Sequence, residues 1–176
     1  MNRVIRKSQS VSATEAADLL AGLFSAELCR PSTCLWLVSP WISDVELIDN
    51  STGGFDSLAR HGRRRIRLAE VLVTLATQGT HVVIGTTTDD HNRRFLQRLR
   101  TLAEDLRVAD KLTVSIDTTD NLHTKALTAD EFALSGSMNI TFSGIQIREE
   151  LIDLRTDAPY VAEARMAAFE RFGGVL

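Results

Sequence analysis

The sequence predicts an α/β fold, a mixed, mostly parallel β-sheet flanked by helices. Cys34 to Ile42 (CLWLVSPWI) is a nearly unbroken apolar run of β-formers closed by Pro40, the pattern of a strand buried on both faces. Further on, an amphipathic stretch stopped by Gly79 leads into His81-Val82-Val83-Ile84, which completes a strand, helix, strand unit. The pattern then repeats. Phe95, Leu99, Leu102 and Leu106 form a helical stripe ahead of the strand-like Leu112 to Ile116. Crossovers between parallel strands are right-handed almost without exception, so helices must cover the sheet faces.

The remaining elements follow in order. From Thr14 to Leu28, Ala16, Leu19, Leu20, Leu23 and Phe24 recur at helical spacing, with Thr14 placed as N-cap and Asp18 in the following turn. Asp44 to Gly62 mixes Asp, Asn, Ser, Thr and Gly without a sustained period, and is long for a connection in a compact domain, so a functional or mobile loop is expected there. Ile66, Ala69, Val73 and Ala76 predict a helix over Ile66 to Thr77. His123 to Thr128 and Phe132 to Met138 read as a hairpin, Leu151 to Leu154 as a strand, and Pro159 to Phe172 as a closing helix ended by Gly173 and Gly174.

With 176 residues, 44% hydrophobic and 24% charged, the chain is expected to form one globular domain over residues 1–176. No run approaches the ~18 apolar residues of a membrane span, and the basic start leads into no secretory apolar segment, so a cytoplasmic location and no membrane partner are expected. Cys29 and Cys34 lack the second pair a zinc site needs and read as reduced thiols. A net charge of −3 gives no global attraction for nucleic acid. Arginines nevertheless crowd two segments, Arg60 to Arg67 and Arg93 to Arg100. Arg63, Arg64, Arg65, Arg93 and Arg94 are candidates for binding substrate phosphates through bidentate guanidinium contacts; the alternative is a solvated surface.

The segment LHTKALTADEFALSGSMNITFSGIQIREEL carries the chemistry. On a strand, His123 and Lys125 share one face, as do Ser137 and Asn139, so four polar groups can converge on a single anion. An imidazole nucleophile, an ammonium and neutral donors suit phosphoryl transfer, with no metal and no cofactor required.

These residues resemble the motif of the phospholipase D superfamily: His-x-Lys, four residues, Asp, a spacer, then Gly-Ser-x-Asn, here His123, Lys125, Asp130, Gly136, Ser137 and Asn139. Val38-Ser39-Pro40-Trp41-Ile42 is similar to the family's first-strand ending. The resemblance implies a phospholipase D-like fold, a phosphohistidine formed on His123, phosphate oxygens held by Lys125 and Asn139, a structural or orienting Asp130, and Glu150 orienting the histidine. The family has six residues between Asp and Gly-Ser; here only Glu131 to Ser135 intervene. Pairing His123 opposite Ser137 would leave Ala129, Asp130 and Glu131 as a three-residue loop, or require a bulge.

Only one such motif is present, whereas attack by one histidine gains from a second group that protonates the leaving oxygen. A homodimer that brings His123 of two copies together is expected, as the resemblance also implies; a different partner carrying the other half is the alternative. His61, His81 and His91 read as structural or surface histidines. A nuclease acting on DNA more readily than RNA is favoured. A weakly active or inactive DNA-binding or assembly subunit and a phospholipid hydrolase are the rivals. The polar insertion after VSPWISD and the ending GSMNITFSG look most like small bacterial members of DNA-modification or phage-defence systems, whose other subunits would be partners.

Overall fold

The computed structural model describes residues 2–7, 14–119 and 121–176. Nine strands and four α-helices are found among them: β1 (Arg3–Lys7), α1 (Glu15–Cys29), β2 (Cys34–Val38), β3 (Glu46–Asp49), β4 (Arg65–Arg67), α2 (Leu68–Thr77), β5 (His81–Thr87), α3 (Arg93–Asp105), β6 (Leu112–Asp117), β7 (Ala126–Thr128), β8 (Ala133–Gly136), β9 (Glu150–Arg155) and α4 (Ala158–Phe172).

Seven strands form the main sheet in the order β1-β9-β8-β7-β2-β5-β6, and β3 and β4 form a separate hairpin. β2 alternates strictly. Leu35 and Leu37 enter the main core with Val82 and Ile84 of β5, Leu20 and Phe24 of α1, Leu72 of α2 and Leu99 of α3. Cys34 and Trp36 face the other way, with Val83, against Ala168 and Phe172 of α4. This two-sided burial is what the unbroken apolar run required. Trp36 keeps its polar edge satisfied by donating from Nε1 to the Gly173 carbonyl at 2.8 Å.

The sheet is mixed and flanked by helices, as expected, but its parallel share is smaller. Only β2–β5 and β5–β6 run parallel, through the α2 and α3 crossovers. The pairings β1–β9, β9–β8, β8–β7 and β7–β2 are antiparallel. β7 lies on the far side of β2 from β5 and β6 and opens the antiparallel run β7-β8-β9, and β1 joins at the edge.

Three local features differ from the sequence reading. Thr14 precedes α1, but its side chain makes no capping bond. The 44–62 stretch contains β3 and a short 3-10 segment, Asp56–His61. Ile66 belongs to β4, buried between outward-facing Arg65 and Arg67, so α2 starts two residues later than expected. Its free N–H groups are satisfied by two carboxylates: the Arg67 N–H donates to Glu70 at 2.9 Å, and the Ala69 N–H donates to Asp44 at 2.9 Å.

Candidate active site

Strand direction gathers the motif at one end of the sheet. β7 runs antiparallel to β2, so its start lies beside the carboxyl end of β2. β8 is antiparallel to β7, and β9 to β8, so the end of β8 and the start of β9 lie there too. His123 and Lys125 lead into β7, Gly136, Ser137 and Asn139 leave β8, and Glu150 opens β9. Ligands of open α/β sheets bind beyond this carboxyl end.

The hairpin register differs by one residue from the expected one. Ala126 pairs with Ser135, Leu127 with Leu134 and Thr128 with Ala133. The Ala129 N–H donates to the Phe132 carbonyl at 2.9 Å, so the loop is Asp130-Glu131 rather than three residues. Pairing stops at Ala126 and Ser135. His123 and Lys125 on one side, and Ser137 to Asn139 on the other, lie in irregular backbone where strand alternation no longer assigns faces.

Asn139 is buried, and its Oδ1 lies 3.1 Å from Ser39 Oγ. The Ser39 hydroxyl also lies 2.9 Å from the Trp41 carbonyl, so one proton serves two acceptors. The segment after β2 is held from the far side as well. Thr86 Oγ1 donates to the Ser39 carbonyl (2.8 Å), Asn92 Nδ2 to the Pro40 carbonyl (2.9 Å), and the Ile42 N–H to Asn92 Oδ1 (2.8 Å). Sequence reasoning assigned no role to Ser39, Thr86 or Asn92. A hydroxyl directly after an all-apolar strand was the available signal for Ser39; nothing local marked Asn92.

Ser137 Oγ donates to the Glu150 carboxylate and accepts from the Leu151 N–H at 3.0 Å. Gly136 makes this closeness possible: it sits at φ +152°, and a Cβ there would be 2.0 Å from the Leu151 carbonyl oxygen. Lys125 Nζ donates to the His123 carbonyl at 2.8 Å. The exposed His123 ring has no hydrogen bond or ion pair among the described residues.

Asp130 is not brought to this site. It occupies the opposite end of the hairpin, roughly 20 Å from His123 at ~3.3 Å per extended residue. There its Oδ2 accepts the Thr33 N–H at 2.8 Å, and Oδ1 pairs with Arg165 at 3.1 Å. The short loop leaves Asp130 to tie the hairpin tip to the start of β2, away from the other motif residues.

The arginine candidates divide by the carboxylates around them. Arg64 is spent on Glu70, donating at 2.6 and 3.0 Å, and Arg98 adds a third bond at 2.8 Å. Burial opposes ionisation of Glu70, but the Arg64 guanidinium, the Arg67 N–H and Arg98 together hold its carboxyl down at about 2. Neighbouring Asp44 is pushed up by burial, an effect partly offset by the Ala69 N–H and Arg98. Arg65 lies 3.7 Å from Glu46, and Arg93 pairs with Asp90. Arg63 packs across Gly53, near the far end of the β3–β4 hairpin. Arg63 and Arg94 have no ion pair among the described residues. Arg94 lines a groove of about 970 Å³ with Ser43, Arg67, His91 and Arg98, beyond the ends of β2 and β5. His91 Nε2 lies 2.8 Å from Ser43 Oγ there.

Among the described residues, no group of three or more His, Cys, Asp or Glu is arranged to hold a metal ion, and no helix is long and apolar enough to cross a membrane. No protein-family model matches the chain, and no curated protein matches it. Solved structures do. NucT from Helicobacter pylori is 13% identical, with a TM-score of 0.60 over 99% of each chain. Nuc from Salmonella typhimurium, a phospholipase D family member, is 10% identical, with a TM-score of 0.62 over 97% of this chain and 93% of its own. TrmBL2, an archaeal chromatin protein with a novel mode of DNA binding, is 15% identical, with a TM-score of 0.53 over 99% of this chain and 54% of its own. At these identities the likeness is one of backbone architecture, and in that respect the chain has the phospholipase D-like fold.

Proposed function

We propose that this chain is a phosphodiesterase acting on nucleic acid, DNA in preference to RNA, through a phosphohistidine on His123. The observation that carries the reading is the delivery of His123, Lys125, Ser137, Asn139 and Glu150 to one end of the sheet, with Asn139 fixed by Ser39. Likeness of fold to the phospholipase D family member Nuc and to NucT adds support.

In this reading the His123 imidazole attacks phosphorus, and the bond from phosphorus to the leaving oxygen breaks. Lys125 and Asn139 hold the non-bridging oxygens as charge develops, which requires Lys125 to turn from the His123 carbonyl. The leaving oxygen takes a proton from the partner's His123. Water then attacks the phosphohistidine and gives up its proton to the same group. The mechanism calls on no metal and no cofactor. Exposed Phe142, Ile147 and Leu151 stand next to Ser137 and Glu150 in sequence and give a second copy an apolar surface to cover.

The resting contacts favour one rival. Lys125 is bonded to the His123 carbonyl and Glu150 to Ser137, as suits a weakly active or inactive DNA-binding subunit of a modification or defence system. Hydrolysis of bis(4-nitrophenyl) phosphate and DNA in EDTA, with trapping of phosphate on His123, separates the two. The catalytic reading requires cleavage that H123A lacks, and cleavage by H123A at the wild-type rate defeats it.

A further inference from the structure

We infer that Trp41 is a base-stacking platform at the sheet end that carries His123, and that the chain therefore takes a nucleic acid strand with an unpaired base. This deepens the nucleic-acid phosphodiesterase reading and rests on it. Val38 pairs antiparallel with Ala126, so the chain leaving β2 toward Trp41 and the chain reaching β7 from His123 lie at the same end of the sheet, where Ile42 next bridges to Ile140. Each of the two residues stands three positions from that pair.

Trp41 is 41% exposed, whereas Trp36 in the same strand region is fully buried. The Trp41 ring is not loose. Its Nε1 donates to Asp89 Oδ2 at 3.1 Å, its carbonyl lies 2.9 Å from Ser39 Oγ, and Asp89 is itself fixed by the His91 N–H at 2.8 Å. An aromatic side chain held by its polar edge presents its ring at little further entropic cost on binding.

The surroundings suit the backbone of the same strand. Ser43, two residues beyond Trp41, opens the groove of about 970 Å³ that holds Arg67, His91 and Arg94. Arg67 and Arg98 are engaged by Glu46, Asp44 and Glu70, which leaves Arg94 with His91 and Ser43 as the donors for a phosphate there. Bases inside a duplex have both faces covered, so a stacking ring at the same sheet end as the nucleophile discriminates for unpaired nucleotides.

Tryptophan emission reads this directly, because the chain has two tryptophans and Trp36 is shielded. The H123A chain titrated with an oligothymidylate in EDTA should show quenched emission. The W41F/H123A chain should lose the quench yet bind within about 3-fold, because phenylalanine also stacks. The W41A/H123A chain should bind roughly 5- to 100-fold more weakly. A long duplex should bind less tightly and leave the emission unchanged. Unaltered single-strand affinity in W41A, or equal quenching by single strand and duplex, would overturn the inference. Loss of affinity in W41F as large as in W41A would also overturn it, by assigning the effect to the Asp89 bond. Hydrolysis of bis(4-nitrophenyl) phosphate by the wild-type chain tests the catalytic reading separately: an inert chain that still quenches on single strands retains the platform and loses the nuclease.

Discussion

Ser39 and Asn139 meet across the sheet end, Ser39 Oγ 3.1 Å from Asn139 Oδ1, although they lie 100 positions apart in sequence. The contact ties the segment after β2 to the segment after β8. Asn139 holds a phosphate oxygen in the proposed mechanism, so its precision depends on a residue that need not touch substrate. The S39A chain is expected to cleave phosphodiesters about 10- to 100-fold more slowly in kcat, the scale of a misplaced catalytic group. Steady-state kinetics alongside thermal melting check this; an unchanged kcat would remove Ser39 from the positioning role.

Arg64 and Arg94 should respond differently to alanine. R64A removes two bonds to buried Glu70 and is expected to lower stability by about 1–3 kcal/mol. R94A breaks no ion pair and is expected to weaken nucleic-acid binding, reducing the salt slope by about 0.7 for one single-strand phosphate lost. Denaturant melts and binding titrations at several salt concentrations distinguish the two.

Glu70 predicts a specific acid sensitivity. Its carboxyl is held at about 2 in the folded chain against an ordinary 4.5, so its ionised form is favoured by folding. The stabilisation is fully present above pH 4.5 and is lost as pH falls through the interval toward 2. It amounts to at most about 3 kcal/mol, reduced by solvent around the half-exposed guanidiniums. The stability gap between wild type and E70Q should therefore narrow as pH drops from about 7 to about 3, as read from urea midpoints.

Gly136 tolerates no side chain. Alanine there would place Cβ 2.0 Å from the Leu151 oxygen at a φ of +152°. G136A is expected to cost about 1–3 kcal/mol and to disturb Ser137 and Glu150 together. Melting temperature and activity should fall in the same variant.

Asp130 should behave as an anchor. D130A is expected to cost about 1–2 kcal/mol through the lost Thr33 and Arg165 contacts, while the folded fraction keeps its specific activity. Loss of activity in fully folded D130A would return Asp130 to the catalytic group.

The sequence by itself determined the buried central strand and the residues that resemble a known motif. The unbroken apolar run through Cys34, Leu35, Trp36 and Leu37 predicts a strand buried on both sides, and His123, Lys125, Ser137 and Asn139 carry a resemblance to the phospholipase D motif. Both are local properties, set by residue type and order along the chain. Tertiary structure alone decided the hairpin register, because a two-residue and a three-residue loop are both compatible with TADEF. It decided the remoteness of Asp130, which follows from that loop. The short β3 and β4 strands lacked enough residues for a period to show. It also separated Arg64 from Arg94: the two side chains are identical, and which of them is left without a carboxylate depends on where the fold places Glu70, a long-range electrostatic choice that no local pattern encodes.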